Sequence, residues 1–94
     1  MLILDLTYIA PLSEADAHMD MHMQWVNDGY TSGLFLASGR KNPRNGGVIL
    51  AKGDRAEIEA YCALDPFTVH KIAQYVITEV HVSRTADGLE HLKD

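Results

Sequence analysis

Near each end of the chain the side chains alternate with a period of two, from Leu2 to Ile9 and again from Tyr75 to Ser83. Leu2, Leu4, Leu6 and Tyr8 share one side of the first stretch, and the pattern is that of a half-buried strand. Between the two stretches lie a helix-periodic segment from about Ser13 to about Asp28, a short apolar run from Gly33 to Gly39, another from Val48 to Ala51, and a second helical segment from Arg55 to Leu64. In a chain of 94 residues this order leaves few solutions. Strand, helix, strand, strand, helix, strand is the split ferredoxin-like βαββαβ unit, an α+β fold with helices on one face of an antiparallel four-stranded sheet.

Local signals set the expected boundaries. Pro11 ends the first strand, and Ser13 with Asp16 has the spacing of a capping box for helix one. At 100° per residue, Ala15, Met19, His22, Met23 and Val26 fall in one inward arc, with His22 near its centre. Arg40 to Gly47, with Pro43, Asn45 and two glycines, reads as the loop of a hairpin joining strands two and three. Asp54 can cap helix two, and Pro66 discourages a helical Asp65, so that helix should stop there. Phe67 to Lys71 is a turn or a short helix. Thr85 to Asp94 is polar apart from Leu89 and Leu92 and reads as a short helix, a docking arm or a frayed end. The expectation is one domain over 1–94, with a core at about 2–83 and a tail at 84–94.

A formal net charge of -5, with no run of Lys and Arg to offset it, argues against a nucleic-acid surface. The start Met1-Leu2-Ile3-Leu4 meets Asp5 at once and is unlike a signal peptide, and no apolar run approaches membrane-spanning length. The single Cys62 has no partner for an internal disulfide, so a reducing, cytoplasmic setting is expected. A domain this small leaves a sheet face to cover, which points to a homodimer.

An imidazole among the aliphatic side chains of a buried helix face needs a hydrogen-bond partner or a cavity. Asp65, in Asp65-Pro66-Phe67, is the expected partner of His22, and such a pair can move protons near neutral pH. Arg40 and Arg44, with Ser38 before them, could hold a carboxylate or enolate oxygen of a substrate; the competing reading makes both arginines solvated loop charges. Trp25, Tyr30 and Phe67 are expected to pack the domain or dimer rather than wall a pocket. His18 and His22 have the i, i+4 spacing of two metal ligands but no third ligand, so no metal is expected, and His70 and His81 read as isolated. Cys62 reads as packing.

The chain resembles the YCII-related (YciI-like) proteins of the dimeric α/β barrel group over about Leu2 to Val82. The resemblance rests on His22 followed by Trp25, Gly33 opening strand two, Ser38-Gly39 closing it, Gly46-Gly47-Val48-Ile49 opening strand three, and Asp65-Pro66-Phe67 after helix two. Arg40 stands where the family often has proline, and Met19 where it often has arginine. The resemblance implies a dimeric barrel with His22 and Asp65 as a catalytic dyad. It further implies a cofactor-free lyase or isomerase acting on a small, cyclic or anionic metabolite. The alternative is a non-catalytic small-molecule-binding or accessory dimerisation module.

Overall fold

The alternation at the start of the chain becomes strand β1, Leu2–Tyr8, which lies inside a sheet of order β2-β3-β1-β4 in a computed structural model that describes all 94 residues. The elements run β1, α1 (Leu12–Ala17), α2 (Met19–Thr31), β2 (Phe35–Arg40), β3 (Gly46–Ala51), α3 (Arg55–Ala63), α4 (Pro66–Val69) and β4 (Ala73–Glu79). Every neighbouring pair of strands is antiparallel. Residues directly opposite in such a pair share a face. Leu4 therefore stands beside Ile49 and Ile77 under the helices, while Ile3 stands beside Leu50 and Thr78 on the other face.

All four helices serve the first face. Leu2, Leu4, Phe35, Ile49 and Ala51 from the sheet meet Trp25, Val26, Ile58 and Cys62 from α2 and α3 in one buried cluster. Leu6 and Ala73 meet Ala15, Phe67 and Ile72 in a second. Trp25 and Tyr61 tie α2 to α3 twice, the indole donating to the Tyr61 carbonyl at 3.0 Å and the Tyr61 hydroxyl to the Trp25 carbonyl at 2.6 Å. Burial, with the negative charges of Asp65 and Glu59 adding to it, pushes the Cys62 thiol up to about 12, so it stays protonated as a packing residue.

The single helix expected from about Ser13 to Asp28 is two. His18, with φ -112° and ψ 9°, separates α1 from α2. No glycine or proline causes the break; the His18 amide is shared between the Glu14 and Ala15 carbonyls at 3.3 and 3.2 Å, and its Nδ1 lies 3.1 Å from the same Glu14 oxygen. The expected capping box is absent too, because α1 begins at Leu12 with Pro11 as its N-cap and no side chain caps it. β3 starts at Gly46 rather than Val48, since Gly46 and Gly47 pair with Thr7 and Leu6. β4 occupies Ala73–Glu79 instead of Tyr75 to Ser83, because its partner β1 runs out at Leu2, opposite Glu79. Asp54 caps α3 as expected, accepting from the Glu57 amide at 3.3 Å.

The tail folds back on the molecule. The Met1 amine donates to the Val80 carbonyl at 2.9 Å, the Val82 amide donates to the Asp94 carboxylate at 3.2 Å, and Lys52 reaches the His91 carbonyl beside a short 3-10 turn, Glu90–Leu92. No helix is long and apolar enough to cross a membrane.

Candidate active site

α2 aims His22 inward, where its ring lies flat on Phe67 of α4 with centroids 4.0 Å apart and planes 1° from parallel. Asp65 reaches the same point from the junction of α3 and α4. Pro66 fits the first turn of α4, where no backbone donor is needed, and Asp65 caps it by accepting from the Phe67 amide at 3.0 Å. The same oxygen, Oδ1, lies 2.8 Å from His22 Nδ1, and Oδ2 accepts from the Tyr75 hydroxyl at 2.6 Å. Asp65 has no solvent exposure at all, so a buried carboxylate is met by three donors from α2, α4 and β4.

This network assigns the proton on the imidazole. With Phe67 and Tyr75 both donating to Asp65, the ionised carboxylate takes its third bond from a protonated Nδ1 of His22. Nε2, across the ring, has no partner within the protein. Tyr75 stays the donor: burial first, then the charge of Asp65 and the bond to it, hold its phenol well above the ordinary range.

His22 opens on a cavity of about 420 Å³ between α2 and the sheet, while Asp65 and Tyr75 do not line it. Met19, Met23 and Val26 of α2, with Leu6 and Ile49 of the sheet, make apolar walls. Ser38, Arg40 and Arg44 line it as well, with Gly39, Gly46 and Gly47. Arg40 has no acidic group within ion-pair distance, whereas Arg44 Nη2 donates to Asp16 at 2.5 Å. Asp16 holds the Arg44 guanidinium above its ordinary value by this bond and by its charge. Ser38 Oγ lies 2.7 Å from the Tyr30 hydroxyl, joining β2 to the end of α2. An apolar slot with a free guanidinium and an unpartnered imidazole nitrogen can seat a ring bearing an acidic substituent and move a proton on it.

The structure thus brings His22 and Asp65 together and sets Ser38, Arg40 and Arg44 around the cavity. Trp25 and Phe67 are buried, and Tyr30 is partly exposed. His70 is not isolated, since its ring packs against His18 with centroids 4.5 Å apart. His18 bonds a backbone carbonyl, and no group of three or more His, Cys, Asp or Glu converges as a metal would need. Sequence reasoning missed Tyr75, which donates to Asp65, Tyr8, which lines the cavity, and Asp16, which pairs with Arg44. Tyr75 carried one usable signal, its place on the same face of β4 as the partly buried Ile77.

A structure of 5-chloro-2-hydroxyhydroquinone dehydrochlorinase (TftG) from Burkholderia phenoliruptrix AC1100, in complex with 2,5-dihydroxybenzoquinone, superposes on this chain with a TM-score of 0.70. The match covers 85% of this chain and 93% of that one at 14% sequence identity, a likeness of fold. No curated protein matches the chain. The model of the YCII-related domain matches residues 1–81, nearly the whole sheet-and-helix unit that holds His22 and Asp65, and the chain belongs to the YCII-related family.

Proposed function

We propose that the protein is a cofactor-free acid/base enzyme, a lyase or isomerase, acting on a small ring-shaped metabolite with an acidic substituent. The observation that carries this reading is the 2.8 Å bond between His22 and a fully buried Asp65, with His22 in the wall of a cavity. His22 Nε2 takes a proton from a carbon or hydroxyl of the substrate, and the bonding electrons remain on the substrate as an enolate-like charge beside Arg40. In a lyase those electrons then expel a leaving group; in an isomerase the imidazolium returns the proton at a second atom. Asp65 holds the ring in its productive tautomer and offsets the positive charge it gains. Support for a ring substrate comes from the apolar walls and from the dehydrochlorinase of the same fold, bound to a hydroxylated quinone.

The test is turnover on a panel of hydroxylated single-ring compounds, chlorinated hydroxyhydroquinones among them. His22→Ala is expected to lower kcat/KM by about 10²–10⁴-fold, the range for loss of a general acid or base, with the fold intact by circular dichroism. A His22→Ala protein as fast as the native one would end the catalytic reading. Binding without turnover across the panel would favour a binding module instead.

We also propose that a second copy covers the open sheet face. Ile3, Val48, Leu50 and Val76 share that face, and Val76 is 62% exposed. An isologous contact buries the same patch on both copies with one surface. Sedimentation should give a dimer at micromolar concentration, and Val76→Lys a monomer; a native monomer would refute the pairing.

A further inference from the structure

We infer that the cavity admits a monoanion in preference to a dianion, and that Asp16 is the residue that imposes this limit. The inference rests on the reading of the cavity as the substrate site. Two arginines, Arg40 and Arg44, line the cavity, and no Asp or Glu does. The two do not count equally. Arg40 is unpaired, while Arg44 is engaged by Asp16 at 2.5 Å. The Asp65 charge lies behind His22 and is spent on three donors. One net positive charge is left for a ligand.

The position of Asp16 supports a role outside its own helix. It sits in the last turn of α1, where an acidic group opposes the helix dipole and no basic residue offsets it. Its carboxylate makes no bond to the backbone of α1, and its one ion pair crosses to the β2–β3 loop. A ligand with a second negative charge has two routes. It leaves that charge uncompensated beside apolar walls, or it displaces an Asp16 that is tethered to the protein and always present. A ligand with one charge satisfies Arg40 and leaves the Asp16–Arg44 pair closed.

Benzoate and phthalate, one and two carboxylates on the same ring, provide the test at neutral pH and fixed ionic strength. Calorimetry measures binding, and the backbone amide shifts of Gly39, Gly46 and Gly47 locate it. The native protein should bind benzoate more tightly than phthalate. Asp16→Asn should move the phthalate-to-benzoate affinity ratio about three- to fivefold toward phthalate, the scale of one partly exposed ion pair. Arg40→Gln should weaken both ligands about tenfold. A folded Asp16→Asn protein with an unchanged ratio, a native preference for phthalate, or no shift of the cavity glycines with either probe would each overturn the inference. These outcomes are read without turnover. An inactive protein that still shows the Asp16→Asn change would keep the charge limit while losing the enzymatic reading.

Discussion

Asp65→Ala is expected to destabilise the protein by about 3–5 kcal/mol, the cost of removing one partner from a buried charged network. The substitution strands the His22 Nδ1 proton, the Phe67 amide and the Tyr75 hydroxyl at once, and it uncaps α4. His22 is only 7% exposed, so water cannot readily replace the lost acceptor. Asp65→Asn keeps one carbonyl oxygen for the donors on Oδ1 and presents an amide to an oxygen of Tyr75 that can accept, so its loss should be less than half as large. Urea unfolding of both variants, followed by far-ultraviolet circular dichroism, measures the difference. An Asp65→Ala loss below about 1 kcal/mol, the net worth of one ordinary hydrogen bond, would mean that the network does not hold the fold.

Gly46→Ala should cost more than about 4 kcal/mol and leave little folded protein, an effect of the size reserved for backbone clashes and comparable failures. Gly46 has φ +150°, and a Cβ there would stand 1.8 Å from the Leu6 carbonyl oxygen and 2.8 Å from its carbon. Both obstacles are backbone atoms of the central strand, so relief requires β1 and β3 to part where Thr7 faces Gly46. Gly39→Ala is the control, because a Cβ there meets nothing within 4 Å. Soluble yield and thermal unfolding of the two variants decide it; a Gly46→Ala protein melting within a few degrees of native would refute the clash.

Much of the fold is written in short-range pattern. The alternation of Leu2, Leu4 and Leu6 reports a strand buried on one side, and the glycines, Pro11 and Pro66 punctuate the elements where a backbone must turn or lose a donor. His22 betrays itself because a polar ring in an aliphatic arc demands a partner, and the Asp65-Pro66 step marks a helix end from which a carboxylate can serve. What was hidden depends on partners distant in sequence. His18 packs against His70, whose position no local pattern reveals. The limits of β3 and β4 are set by where β1 offers a pairing edge. Tyr75 and Asp16 each act through one side-chain bond to a residue on another element.

Trp25 is the one tryptophan of the chain, and its ring is stacked 5.8 Å from that of His22. Its indole is fixed by the bond to Tyr61 and by packing on the Tyr61, Tyr75 and Phe35 rings, and His22 is the one ring beside it that can carry a positive charge. Protonated imidazole quenches an adjacent excited indole. The intrinsic fluorescence of this protein is therefore an optical gauge of the charge on His22, readable without a label and before any substrate is known.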